Sequence, residues 1–391
     1  MLKTFTLICM LSLLTGIKSH NDFYSNKYKR TKKPEAASIS ILPTNPLIEK
    51  DQYGQYLNFD ITIKNTGNHV LDLNTIEVSV MDLSNKLILR KSINNNGQQP
   101  GIKTIGNTII KPGESIHIFN PFYTLAPDAS ITFLKYRFLF NYSDNEHQKE
   151  LNQHKLPMDF DVSLDKIITP RPYLSKTNFY LPLKDKLIIW DARDFYSHHR
   201  MFQAGLPQQA KGITANSNRY AYDLVSVDEQ GNMYQADAFK KENWYAFGKS
   251  VYAPAAGRII EVQNTIPDNE FSGKMVKSPI VPPDADPLGM GNHVIIDHGN
   301  GEFSALLHME KGSIKVRIGE MVKVGQQIGN IGFSGDAIFP HLHYTIMNGP
   351  KESVSEGIPS YFNNYKLFRG TSFILIKKGH INSGDIIESE K

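Results

Sequence analysis

Cysteine is almost absent from this chain of 391 residues, which contains a single one at position 9. Cys9 lies inside an apolar run from about Phe5 to Leu14, without the small residue at the end of the run that a lipoprotein anchor requires. A chain with one cysteine forms no intramolecular disulfide, which excludes a small secreted domain stapled by disulfides. The fold must therefore depend on its hydrophobic cores, and a chain of this length can bury more than one.

Strong charge of one sign and long apolar segments are also missing. The formal net charge is +4, and part of the excess lies in the run NKYKRTKK at residues 26–33. Such a run predicts a solvated linker and no nucleic-acid partner. Beyond the amino terminus no segment has the length of a membrane-spanning helix, so we expect no stable membrane span.

Two common hydrolase motifs are absent as well. The sequence has no HExxH, which excludes a helical zincin, and its nearest approach to GxSxG is GFSGD at residues 332–336. Neither of these two routes to hydrolysis is open to the chain.

The amino terminus has the layout of a secretory signal peptide. Lys3 precedes the apolar run, and small or polar residues follow near Ser19. We predict a signal peptide over residues 1–19, a basic linker over 20–37, and a protein that is secreted or periplasmic, in the cell envelope.

Strand patterns begin after the linker. Segments such as YLNFDITIKNTG at 56–67 alternate apolar and polar residues between turns, which predicts an immunoglobulin-like β-sandwich over 38–165. A loop around TPRPY at 169–173 marks the predicted boundary, and further short strands closed by Gly, Asn or Pro predict a second domain over 170–391. No amphipathic pattern of three helical turns is present, so the predicted fold class is mainly β.

Two histidines near the carboxyl end have a spacing that favours chemistry. In FPHLHYTI, His341 and His343 are two residues apart on a predicted strand, so their side chains project to the same face. A catalytic zinc needs three protein ligands and an open position, with a neighbouring group to handle protons. In RYAYDLV, Asp223 lies between apolar neighbours, where a carboxylate is costly to bury unless it is paired or bound to a metal.

Several separated segments together resemble the lysostaphin-type (β-lytic, LytM-like) zinc metallopeptidases, which cut peptide crosslinks of bacterial peptidoglycan. The resemblance runs from about residue 218 to 346 and preserves the order of the family's motifs, which here are YAPAAGRIIEV, GNHVIIDHGNGEFSALLHM, IKVRIGEMVKVGQQIGNIGFSG and PHLHYTI. It implies an antiparallel β-sheet or barrel-sandwich peptidase domain and one Zn²⁺ per chain. It also implies a peptidoglycan stem or crossbridge peptide as the partner.

The resemblance assigns roles to four residues. Asp223 and His343 match zinc ligands of the family, whereas His308 and His341 match the two catalytic histidines, which handle the proton of the attacking water and stabilise the oxyanion. His298 is expected to be structural and His293 to face solvent or the groove, and neither is expected to bind the metal.

One position departs from the family pattern. The usual third ligand is a histidine four residues before the aspartate, but this chain has Arg219 there, and a guanidinium cannot bind zinc. Either the loop histidines of SHHR supply the ligand, with His199 preferred and His198 close behind, or the domain is a degenerate scaffold.

These alternatives give two functional hypotheses. The first is an exported zinc metallo-endopeptidase that hydrolyses peptidoglycan crosslinks by metal-activated water, with an amino-terminal sandwich that positions the peptidase domain or occludes its groove. The second is a degenerate member that binds peptidoglycan or activates another cell-wall hydrolase. Biotinyl or lipoyl carrier domains share the hairpin pattern, but the modifiable lysine is missing at the expected distance and HxH has no place in them.

Overall fold

The computed structural model describes residues 36–143, 160–201, 214–281, 286 and 288–390. The predicted signal peptide and nearly all of the basic linker lie outside the described residues. Residues 36–391 form one compact unit. Among the described residues, no helix is long and apolar enough to cross a membrane.

The first half of the described chain consists of short and medium strands with one 3₁₀ turn at Gly101–Ile105. The strands are β1 (Ala37–Leu42), β2 (Leu47–Lys50), β3 (Gln55–Leu57), β4 (Asp60–Asn65), β5 (Leu71–Met81), β6 (Leu87–Asn94), β7 (Ile109–Ile110), β8 (Ser115–Phe119), β9 (Thr124–Leu125), β10 (Phe133–Tyr142), β11 (Val162–Ile168) and β12 (Arg171–Pro172).

These strands form three sheets, which we call the amino-terminal sheets. Their orders are β1-β4-β8, then β11-β10-β5-β6 with β7 against β5, and β12-β2-β3-β9. In β10 the alternating sequence FLKYRFLFNY places every second side chain inside, as the period of a strand requires. Buried residues of β1, β4, β5, β8 and β10 share one hydrophobic core. The immunoglobulin-like topology itself stays a prediction.

The predicted boundary loop contains a strand. β12 pairs in parallel with β2, and the backbone of Tyr173 donates to the carbonyl of Ile48 at 3.1 Å. The segment that was expected to separate two domains is thereby tied to the first of them. The two-domain division stays a prediction, since residues 36–391 cluster as one unit.

The second half is also mainly β. Its elements are β13 (Lys186–Asp191), α1 (His198–Met201), β14 (Tyr222–Ser226), β15 (Ser250–Tyr252), β16 (Gly257–Gln263), β17 (Glu270–Ser272), β18 (Met275–Lys277), β19 (Asn292–Asp297), β20 (Phe303–Met309), β21 (Met321–Val322), β22 (Gln327–Asn330), β23 (Leu342–Met347), β24 (Phe362–Phe368), β25 (Phe373–Gly379) and β26 (Ile386–Ser389), with 3₁₀ turns at Lys241–Asn243 and Glu352–Val354. The mainly β fold class predicted from the sequence is confirmed.

One sheet of ten strands organises this half. Its order is β21-β16-β19-β20-β23-β14-β13-β26-β24-β25, and β15-β22 and β17-β18 form separate pairs. The central strands β23 and β14 are buried along their whole length and β20 everywhere except at Phe303, which fits their almost continuously apolar sequences. The few polar residues on these strands are therefore the ones that need an explanation.

Candidate functional site

Neighbouring strands bring the predicted aspartate and the second histidine of HxH together. β14 pairs antiparallel with β23, and Asp223 lies directly opposite His343. Opposed residues of an antiparallel pair project to the same face, so the two side chains meet. On the other side of β23, Leu307 of β20 is opposite His343, and the ring centroid of the following residue, His308, lies 5.7 Å from that of His343.

Asp223 lies at the centre of a cluster of imidazoles. Its Oδ1 is 3.2 Å from Nδ1 of His343, 3.3 Å from Nε2 of His199 and 3.2 Å from Nε2 of His341. Burial raises the pKa of this carboxyl, but His199 and His341 outweigh burial and hold its pKa well below the usual range. A full negative charge therefore lies among the ring nitrogens.

The two loop histidines occupy different positions on α1. His199 is buried, with Nε2 towards Asp223, whereas the side chain of His198 is 69% exposed and its Nε2 is 3.9 Å from Asp223 Oδ2. Of the two candidates for the third ligand, the geometry favours His199.

Asp191 is a site residue that the sequence reasoning missed. It ends β13 and is opposite Asp223 in the register. Its Oδ2 accepts a hydrogen bond from Ser197 Oγ at 2.7 Å and lies 2.6 Å from His198 Nδ1 and 3.2 Å from His199 Nδ1. A carboxylate behind a ligating imidazole fixes the orientation of the ring and increases its basicity. The available signal was an aspartate at the end of the apolar run LIIW.

His308 and His341 each have one ring nitrogen committed to the backbone. Nδ1 of His308 is 2.9 Å from the carbonyl of Ser334, and Nδ1 of His341 is 2.8 Å from that of Phe339. A carbonyl only accepts, so each Nδ1 carries the proton and Nε2 of the neutral ring holds a lone pair. The ring centroids are 4.9 Å apart. His308 can therefore accept a proton at Nε2, whereas His341 Nε2 also faces the carboxylate of Asp223 at 3.2 Å.

The backbone at His308 is held in an unusual conformation. Its φ is 62°, in the left-handed region that few residues other than glycine adopt. Backbone hydrogen bonds on both sides hold it there, from His308 N to Met290 O at 3.2 Å and from Gly332 N to His308 O at 3.0 Å. Such strain tends to occur at functional sites, where the surroundings enforce it.

The donor set of His199, Asp223 and His343 fits a zinc ion. Ligands about 2.0–2.1 Å from a tetrahedral ion are about 3.3 Å apart, close to the 3.2 and 3.3 Å that separate the two imidazole nitrogens from Asp223 Oδ1. All three ligand atoms lie within 4.8 Å of one another. Two neutral nitrogens and one carboxylate leave a position open, as a catalytic zinc requires. The combinations His308–His341–His343 and Asp191–His198–His199 also cluster, but neither includes the central carboxylate of Asp223.

Arg219 occupies the position of the family's usual third ligand, but it forms ion pairs with two carboxylates. It is buried, and it donates from Nη2 to Asp60 Oδ2 at 2.9 Å and from Nε to Glu356 Oε2 at 2.8 Å. Burial lowers the pKa of this guanidinium, but the two carboxylates raise it overall. Arg219 joins the large sheet to the amino-terminal sheets.

The two remaining histidines of the family-like segment lie outside the cluster. Nδ1 and Nε2 of His293 contact the carbonyl of Gly291 and the carboxylate of Glu261, at 2.9 and 3.1 Å. His298 contacts the carbonyl of Ala256 and Ser304 Oγ, at 2.9 and 2.8 Å. Both rings have two structural partners.

The cluster opens into a cleft of about 390 Å³ whose other walls are mostly apolar, with Trp190, Leu288, Met290, Leu307, Ile338 and Phe339 among the lining residues.

Glu352 also lines this cleft. Ser217 Oγ donates to its Oε1 at 3.3 Å, and its Oε2 has no hydrogen-bond partner in the described part of the chain. Burial raises the pKa of Glu352 to about 7. No sequence motif points to Glu352, since it lies in a turn after β23.

Replacing Glu352 by Gln should stabilise the protein at alkaline pH. Because the folded-state pKa of about 7 lies above the value of an unfolded Glu, the ionised side chain destabilises the fold as pH rises. We expect the free energy of unfolding of Glu352→Gln to exceed that of the wild type by up to about 3 kcal/mol at pH 8, and to equal it near pH 4.5. Urea unfolding at both pH values measures this. A gain of the same size at both would contradict it, and Glu356→Gln, which removes a partner of Arg219, should destabilise instead.

Residues 244–355 match the model described as Peptidase family M23. Over these residues the chain is similar to the M23 peptidase family. The match includes His308, His341 and His343 and begins after His199 and Asp223.

Individual relatives are similar over short stretches. The peptidoglycan DD-endopeptidase ShyA of Vibrio cholerae serotype O1 is 39% identical over 71 residues, which are 18% of this chain and 16% of the relative. The peptidoglycan DD-endopeptidase ShyC of the same organism is 43% identical over 60 residues, 15% of this chain and 13% of the relative. The chain thus spans less than a fifth of these relatives. The catalytic domain of lysostaphin from Staphylococcus simulans is 22% identical, with a TM-score of 0.21, over 32% of this chain and 86% of that chain.

Proposed function

We propose that this protein is an exported zinc metallo-endopeptidase that hydrolyses peptide crosslinks of bacterial peptidoglycan. The observation that supports it best is the approach of His199 and His343 to one oxygen of Asp223, at 3.3 and 3.2 Å, in an open cleft. The M23 match and the endopeptidases among the relatives support a cell-wall peptide as the substrate. The signal-peptide pattern of residues 1–19 supports export to the periplasm or beyond.

His199, Asp223 and His343 would hold one zinc per chain. When bound, zinc lowers the pKa of a water molecule towards neutrality and polarises the peptide carbonyl. Asp191 contacts the ring of His198 at 2.6 Å, and its Oδ2 also lies 3.2 Å from His199 Nδ1. The apolar side chains in the walls of the cleft strengthen the electrostatic interactions beside them.

His308 and His341 would handle the protons of the reaction. Burial lowers the pKa of His308 well below its ordinary value, so this ring readily passes on a proton that it takes up at Nε2. Burial alone would lower the pKa of His341 too, but Asp223 raises it overall. His341 is therefore the more readily protonated ring and suits donation to the developing oxyanion, whereas His308 suits transfer to the leaving amine.

The proposal is tested with purified full-length mature protein and purified peptidoglycan. We expect one zinc per chain, release of soluble crosslink fragments, loss of release after treatment with 1,10-phenanthroline, and recovery on addition of zinc. Mass spectrometry of the fragments identifies the bond that is cut. Protein that contains no zinc and releases no fragments, but sediments with peptidoglycan, would overturn the proposal in favour of the degenerate scaffold.

A further inference from the structure

The segment that carries His199 is too short to hold itself in place. α1 has four residues, fewer than an isolated helix needs for stability, so its position depends on tertiary contacts. The next residue, Arg200, is fully buried. Its Nε donates to Asn58 Oδ1 at 3.2 Å and its Nη2 to the carbonyl of Asn120 at 3.1 Å. The amino-terminal sheets therefore hold the neighbour of His199.

The guanidinium of Arg200 is also enclosed by aromatic rings. It lies 4.5 Å from the ring centroid of Tyr123 and 4.6 Å from that of Phe195. A buried cation with these contacts has little freedom to move, because every displacement removes a hydrogen bond or a cation–π contact. Because His199 directly precedes Arg200, its backbone is held in place as well.

Asn58 connects this anchor to the segment that leads to Asp223. While Oδ1 accepts from Arg200, Nδ2 donates to the carbonyl of Arg219 at 2.9 Å, four residues before Asp223. The orientation of the amide follows from its partners, since a guanidinium only donates and a carbonyl only accepts. Asn58 lies between β3 and β4 and is 1% exposed. One side chain thus ties together the two segments that carry His199 and Asp223.

Two further side chains, those of Asn216 and Asp60, connect the segments that carry His199 and Asp223. Asn216 Nδ2 lies 3.3 Å from the carbonyl of His199 and 3.4 Å from that of Arg200. Asp60, two residues after Asn58, pairs with Arg219 at 2.9 Å. The cleft itself is lined by residues between Trp190 and Glu352, and none of its lining residues in the described ranges comes from the amino-terminal sheets. These sheets contact the back of the site and leave its opening free, which favours positioning over occlusion.

We propose that Asn58 is a positioning residue that sets the separation of His199 and Asp223, so that the amino-terminal sheets form part of the metal site. This inference rests on the proposed function. Metal sites depend on groups behind the ligands, whose removal typically weakens metal affinity about 10–100-fold. Loss of the buried Asn58 amide should therefore weaken zinc binding, because it changes the distance between His199 and Asp223.

Zinc affinity of Asn58→Leu, measured by competition with a chromophoric chelator, tests the proposal in the full mature chain. We expect the Kd for zinc to rise about 10–100-fold. The zinc-induced rise in Tm should shrink, and cleavage should recover at saturating zinc. Asn58→Asp keeps the acceptor for Arg200 and loses the donor to Arg219, so it should give a smaller increase in Kd and remain folded if the leucine variant does not.

Asn65→Leu is the matched control. Asn65 is another buried amide of the amino-terminal sheets, and it donates to the carbonyls of His69 and Ile110 at 2.7 and 2.8 Å. It should lower the Tm of the metal-free protein without a change in zinc Kd. Wild-type zinc affinity in folded Asn58 variants would overturn the positioning role and leave the proposed function intact. Absence of zinc binding in the wild type would overturn both.

Discussion

His343→Ala should leave the protein without stoichiometric zinc and reduce crosslink cleavage by about a thousandfold or more. His343 is buried with Nδ1 3.2 Å from Asp223 Oδ1, so its loss removes one of three nitrogen and oxygen donors. Two remaining protein ligands fall short of the three that a catalytic zinc requires. Zinc content by mass spectrometry and fragment release from purified peptidoglycan measure the two effects together.

His298→Ala provides the control for this experiment. His298 lies on the same sheet and contacts Ala256 and Ser304, so its removal costs structural hydrogen bonds without touching the cluster. We expect it to lower Tm and retain one zinc per chain. If His343→Ala kept its zinc while His298→Ala lost it, the assignment of the metal site would be wrong.

Arg219→His should destabilise the protein even though it restores a histidine at the family's usual ligand position. Arg219 is the cation between Asp60 and Glu356, at 2.9 and 2.8 Å. Its removal leaves two buried carboxylates without their partner, which typically costs about 3–5 kcal/mol. Urea unfolding in the presence of a chelator isolates this effect from zinc binding.

A compensated variant separates charge from packing at this position. Arg219→Met combined with Asp60→Asn and Glu356→Gln replaces the ionic group by neutral side chains, which is often far less destabilising than breaking it. We expect most of the lost free energy of unfolding to return. If Arg219→His instead matched the wild type in stability and exceeded it in zinc affinity, Arg219 would have no structural role. This single substitution would then restore the family's usual set of zinc ligands.

Strand periodicity and motif order predict most of the site residues from the sequence. Asp223, His341 and His343 lie on or beside β14 and β23, where alternation and antiparallel pairing determine which side chains share a face. His308 departs from this rule, because it lies at an irregularity of the β19–β20 pairing with a φ of 62°. The mainly β class follows from the same short-range patterns. These features depend on neighbours in sequence or on adjacent strands.

The remaining features depend on contacts between distant parts of the chain. His198 and His199 are adjacent, and only the burial of Arg200 against Asn58 and Asn120 turns His199 inward. The role of Arg219 follows from a pairing with Asp60, 159 residues away. Asp191 belongs to no recognisable motif, and it reaches the site because β13 pairs with β14. β12 likewise forms because its partner β2 lies far back in the chain.

The identity of the third ligand decides whether a chain with Arg219 in place of histidine holds zinc. Zinc per chain in purified His199→Ala and His198→Ala proteins, measured side by side with the wild type, tests it most directly. We predict one zinc in the wild type and in His198→Ala, and substoichiometric zinc in His199→Ala. Full zinc occupancy in His199→Ala would contradict the account.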